Sequence, residues 1–235
     1  MPENREGTLT ATHFWDCIGA SCDAPVLQPW DAAKYRYSAY YAPLDPTEFP
    51  RGPVYGEKLW MTGAVSDALT AALGPDDGCC GQDPEGAGGC GKCLLVTNPN
   101  AVNSAWKAVV MKKSRCPPSP DGCDKPQLNI AVPGYDNVLS SAANICGASG
   151  TIVSKSTSSV CGDWYNFGNS TLQACSCSAL PDTTTQEVAA KHGCELFTAW
   201  GWTRRDPELA YEVVECPLEF VSVISGAFGP EGPIY

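Results

Sequence analysis

Residues 8–16 read Thr8-Leu9-Thr10-Ala11-Thr12-His13-Phe14-Trp15-Asp16. Threonines alternate with apolar Leu9 and Ala11, the period-2 pattern of a strand with one face on a core. The strand is predicted to end at Asp16. Outward from it, short strands recur. Residues 93–97 and 106–112 read as two strands joined by the turn Asn98-Pro99-Asn100. Residues 128–132 form another, stopped by Pro133-Gly134, and 151–155, 197–202 and 211–215 are further candidates. Trp60, Ala64, Val65, Ala68, Leu69, Ala72 and Leu73 share one helical face, so the spacing predicts a helix over 60–73, stopped by Gly74-Pro75. A second helix is predicted over 184–192, where Thr183 and Gln186 stand in a capping-box relation, and a third over 217–224. Strands dominate, and the helices lie between them without regular alternation. The expected fold is mainly β: a closed barrel with a few outer helices and long loops. With no internal repeat and no linker, one domain is expected over 1–235, with 1–7 as a flexible N-terminus.

The loops carry most of the cysteine. The chain has 235 residues and 14 cysteines, an even number spread from Cys17 to Cys216. In an oxidising compartment they form a disulfide framework. A zinc site would rest on Cys79-Cys80 and Cys90-Gly91-Lys92-Cys93. With His13 and His192 the only histidines and no second well-spaced pair, disulfides are expected and no metal or other cofactor. Residues 76–92, rich in glycine, and 114–126, with four prolines, read as loops pinned by such bonds. Residues 24–58 read as a long surface loop. Asn169-Ser170-Thr171 is a glycosylation sequon and agrees with secretion.

Charge narrows the partners. Asp and Glu number 26 against 15 Lys and Arg, a net charge of −11. That balance argues against nucleic acid and anionic membranes, which need a basic face. No apolar run approaches a membrane span, and the first seven residues carry no apolar signal stretch.

Asp16 stands out through its neighbours. An acid at a strand end serves a turn as readily as a reaction. Here Phe14 and Trp15 precede it, and Cys17 and Cys22 staple the segment. Flat rings beside a fixed carboxylate suit a sugar cleft, where rings stack on C–H faces and the carboxylate activates water.

At these residues the chain resembles glycoside hydrolase family 45, the small secreted endoglucanases. Thr12-His13-Phe14-Trp15-Asp16-Cys17, followed by Ser21-Cys22, looks like the family's opening signature. Leu128-Asn129-Ile130-Ala131-Val132-Pro133-Gly134 looks like its second. Weaker matches are Ala64-Val65-Ser66-Asp67, Gly89-Cys90-Gly91-Lys92-Cys93 and the stretch from Gly193-Cys194 to Cys216-Pro217. The resemblance implies a six-stranded double-psi β-barrel crossed by a groove. It implies inverting hydrolysis by a base and an acid ~6.5–9.5 Å apart. It implies a secreted monomer whose partner is a β-1,4-glucan. Asp16 falls on the base and Asn129 on the acid. Thr12, Phe14, Trp15 and Gln127 fall on substrate-binding positions, and Asp121 or Asp124 on an assisting acid.

Asn129 is the departure that matters. An amide has the carboxyl's shape but no acidic proton near neutrality. Three explanations stand: a substitution that traps substrate intact, a natural homologue that binds without cutting, or another acid, with Asp121, Asp124 and Asp136 nearest. Smaller departures are Phe14 for a frequent Tyr, Ile18 for a frequent Cys and Gln127 near a frequent His. The alternative function is a non-hydrolytic wall protein: Cys90–Pro99 also looks like the strand motif of barwin-type proteins, and expansins share the barrel. A third reading, a disulfide-rich structural or inhibitory protein with no sugar site, is favoured if Trp15, Trp200 and Trp202 are all buried.

Overall fold

The computed structural model describes residues 5–14, 22, 58–83, 85–118, 123–132, 195–197, 199–203 and 206–228. They form six strands: β1 (Glu6–Phe14), β2 (Lys58–Ser66), β3 (Cys93–Thr97), β4 (Lys107–Cys116), β5 (Gln127–Ala131) and β6 (Glu208–Val214). Helix α1 (Asp67–Leu73) comes after β2, and α2 (Leu218–Phe228) after β6. The strands close into a barrel in the order β1-β5-β2-β4-β3-β6. Pairs β1–β5 and β2–β4 are parallel and the other four antiparallel. Closure leaves no unpaired sheet edge.

Alternation sorts the side chains. Leu9, Ala11, Leu59, Met61, Leu94, Val96, Ala108, Val110, Leu128, Ile130 and Leu209 fill the interior. On the outer wall of β2, β3 and β4 a second apolar cluster forms against α2, centred on Trp60 stacked on Phe220 at 5.2 Å. β2 is therefore buried on both faces. This corrects the helix expected over 60–73: residues 58–66 are strand, and only Asp67–Leu73 is helical. Ser66 is the switch. It is extended (φ −65°, ψ 155°), and its Oγ accepts the Leu69 N–H as an N-cap.

A second correction concerns the strand expected over 197–202. Residues 195–197, 199 and 200 are helical, and Phe197, Trp200 and Trp202 pack together in the core. The turn after β3 docks on this segment through Val102 N–H to the Gly201 carbonyl at 2.8 Å. Gly201 has φ 73°, and a Cβ there would strike Val102. β1 begins at Glu6, inside the stretch expected as a flexible terminus. The strand expected over 151–155, the helix over 184–192, the sequon at Asn169 and most of the loop over 24–58 lie outside the described residues.

β4 carries an irregularity that sets the phase of its second half. Gly63 on β2 pairs with Lys112 but Ala64 pairs with Ser114, so Lys113 is an extra residue, a β-bulge. Lys112 and Lys113 are both buried. Lys112 Nζ donates to Thr70 Oγ1 (3.1 Å), Asp83 Oδ2 (3.2 Å) and the Gly88 carbonyl (2.5 Å). Lys113 Nζ donates to the Cys80 carbonyl at 2.6 Å. Two lysines thus tie the glycine-rich loop after α1 to the barrel. Among the described residues Cys22–Cys90, Cys79–Cys80, Cys93–Cys216 and Cys116–Cys123 are disulfides. Cys90 and Cys93 are therefore both bonded to sulfur. The bonds fit an oxidising compartment. Among the described residues no helix is long and apolar enough to cross a membrane.

Candidate functional site

Past the bulge, β2 and β4 present Ala64, Ser114 and Cys116 to the outer side of the barrel. On the other flank β1 and β5 run parallel, with Thr12 beside Asn129. Leu128 and Ile130 point inward, so alternation sends Asn129 outward. Ala64 lies opposite Asn129 on β2, and its small side chain leaves the amide half-exposed. Gly63 permits the close approach of β2 to β5: a Cβ there would stand 2.7 Å from the Asn129 carbonyl oxygen.

The side chains join across strands. Thr12 Oγ1 donates to Asn129 Oδ1 at 2.5 Å, and Gln127 Nε2 donates to the same oxygen at 2.9 Å. Asn129 Nδ2 donates to Cys116 Sγ at 3.3 Å. Behind them Ser66 Oγ accepts the Gln127 N–H at 3.0 Å, so the cap of α1 also fixes the start of β5. Thr12, Gln127 and Asn129, singled out from distant parts of the sequence, meet in one hydrogen-bonded cluster. Phe14 ends β1 beside Ala131. Asp124 is exposed just after Cys123. Trp15, Asp16 and Asp121, together with Asp136, lie outside the described residues. Trp200 and Trp202 are core and offer no exposed platform.

The cluster is built from hydroxyl, amide and disulfide sulfur. The nearest charges on β4 are engaged elsewhere. Arg115 Nε and Nη2 donate to Asp67 at 2.7 and 2.6 Å, and Nη1 pairs with Glu85. The Arg115 hydrogen bond holds the Asp67 carboxyl below its ordinary value, against a smaller opposing effect of burial. Burial pushes the Lys112 ammonium down, and Asp83 opposes it. Among the described residues no group of His, Cys, Asp and Glu could hold a metal ion.

Sequence reasoning misses Cys116, which reads only as a loop staple. The available signal is its place directly after the strand run 107–115. It also misses Lys112 and Lys113, whose burial no local pattern announces.

No family model matches this chain, and no curated protein does. Among solved structures it is similar to the crystal structure of a cellulase from the Antarctic springtail, Cryptopygus antarcticus. The two share 14% identity with a TM-score of 0.47, over 93% of this chain and 95% of that one.

Proposed function

We propose that this barrel is a secreted glycoside hydrolase scaffold of the inverting endo-β-1,4-glucanase type, acting on a neutral β-1,4-glucan as a monomer. Asp16 is the base, and Asn129 occupies the place of the acid. The observation that carries the reading is the hydrogen-bonded cluster of Thr12, Gln127 and Asn129 on the barrel's outer face. Resemblance assigns all three to one sugar site, and they touch. The base at Asp16 lies two residues beyond β1, with Phe14 and Trp15 as sugar-contacting rings and Asp121 or Asp124 as an assisting acid.

In this chain the amide can hold a glycosidic oxygen by donating a hydrogen bond, but it cannot protonate it. Binding is therefore expected to outlast cutting. A second reading, an expansin-like protein that binds wall glucan without hydrolysis, is favoured by the lack of a transferable proton in the cluster described. One experiment separates the two. Asn129→Asp restores an acid, and hydrolysis of soluble β-glucan is expected to rise by at least ~10²-fold, the low end for a general acid. Asp16→Ala in that background is expected to abolish the gain. If neither form cuts while both bind cellohexaose by calorimetry, the second reading replaces the first. Flat activity in Asn129→Asp, with the present chain already cutting well, places the acid elsewhere.

A further inference from the structure

The three contacts of Asn129 are of two kinds. Oδ1 accepts twice, from Thr12 and from Gln127. Nδ2 points the other way, to the sulfur of Cys116, which is bonded to Cys123. A half-cystine sulfur has no proton, so it can only accept. Turning the Asn129 amide over would set Oδ1 against the sulfur lone pairs; the Thr12 hydroxyl and the Gln127 amide can each reverse their roles, but the sulfur cannot. The sulfur therefore asks for a donor on its side of position 129, while the other atom, as Thr12 and Gln127 stand, accepts twice.

Consider the groups of this shape. An amide meets the demand. An ionised carboxylate meets half of it, because its second oxygen has only lone pairs to offer the sulfur. A protonated carboxyl meets all of it, its O–H standing where the amide has N–H. We propose that the Cys116 sulfur is a positioning group that tunes position 129 for a hydrogen-bond donor: it fixes the Asn129 amide in one orientation, and it favours the protonated form of a carboxyl placed there. Its bearing on catalysis rests on the reading of position 129 as the acid's place. The bulge at Lys113 is what brings this sulfur to the outer face.

The described charges on neighbouring elements are directed elsewhere. On β4, Lys112 serves Asp83, Lys113 the Cys80 carbonyl, and Arg115 both Asp67 and Glu85, while Lys107 stands at the far end of the strand. On β1, Glu6 stands opposite Glu212 in the register, at the end of the strand away from Thr12. Asp124 and Lys125, before β5, are exposed.

The test compares two variants that both lack the bridge. One is Asn129→Asp/Cys123→Ala with the Cys116 thiol capped by methyl methanethiosulfonate, which restores a proton-free disulfide sulfur. The other is Asn129→Asp/Cys116→Ala/Cys123→Ala. The introduced carboxyl is titrated by ¹³C NMR. Its midpoint is expected about one pH unit higher with the sulfur than without, the size of one hydrogen bond's preference for the protonated form. Equal midpoints overturn the proposal, since loss of the bridge alone affects both variants alike. This titration involves no glucan, so it stands or falls apart from the glucanase reading. If neither variant folds, the unaltered chain decides: the Asn129 Nδ2 protons are expected to exchange at least ~10-fold more slowly than those of exposed Asn100. Similar rates overturn the proposal.

Discussion

The polar clusters around Lys112 and Asn129 are built on opposite principles. Around Lys112 the groups are charged and sealed: Lys112 and Asp83 are both fully buried, and Thr70 and the Gly88 carbonyl take the remaining donor capacity of the ammonium. Around Asn129 the groups are neutral and half open to solvent. The first cluster holds a loop in place, with its ammonium and carboxylate shut off from water. The second can exchange a partner for water or for another hydroxyl. Burial with full satisfaction makes an anchor, and partial exposure leaves fixed donors and acceptors within reach of solvent.

The contrast can be broken by substitution. The largest effect is expected from Asp83→Ala, which strands a buried ammonium. Urea denaturation should show a loss of about 3–5 kcal/mol, as for other broken buried pairs. Lys112→Met with Asp83→Leu should cost less than the single change, because no charge is left without a partner. An additive double variant would mean the pair is not coupled.

Asn129→Ala should cost far less in stability, about 1 kcal/mol, because Thr12 and Gln127 can turn to water. Its effect should appear in cellohexaose binding by calorimetry instead. A stability loss equal to that of Asp83→Ala would make Asn129 an anchor and erase the difference between the two clusters.

The smallest effect is expected at Asp67, whose pair with Arg115 is about a third exposed on the carboxylate side. Such a pair contributes at most about 1 kcal/mol. The folded-state value of Asp67 lies below its ordinary 3.8. Its contribution is therefore complete above pH 3.8 and fades as pH falls through the lower folded value. Asp67→Asn should be slightly less stable than the parent near neutrality, and the two should converge in acid. A gap that widens in acid would contradict the assigned direction.

Much of this architecture is legible in the sequence, for reasons that differ by element. β1 has one buried and one exposed face, so Leu9 and Ala11 alternate with Thr8 and Thr10 and the strand is plain. β2 has no exposed face. Leu59, Trp60 and Met61 are all buried, alternation disappears, and a helical spacing shows through by accident. In 197–202 the aromatic run suits strand or helix equally, and packing of Phe197 on Trp200 one turn later decides for helix. The cluster at Thr12, Gln127 and Asn129 is reachable only through motif resemblance. Nothing local links residue 12 to residue 129, and the third partner, Cys116, depends on a bulge that no composition rule announces.

That bulge acts as a frame marker within the chain. Ahead of it, β4 is read in one phase by β3 and the barrel interior. Behind it, Ser114, Arg115 and Cys116 are read in the other. Deleting Lys113, the extra residue, would join Lys112 directly to Ser114 and keep the Ala64–Ser114, Val65–Arg115 and Ser66–Cys116 pairs in phase; flattening the bulge with Lys113 kept in the ladder would instead exchange what faces in for what faces out, sending the sulfur into the barrel and the guanidinium outward. The phase of the strand's end is thus held by whether residue 113 stands in the ladder or out of it. Residue 113 is the letter of β4 that the ladder does not count, so its loss would keep the facing of the strand's end and give up the tie to the Cys80 carbonyl.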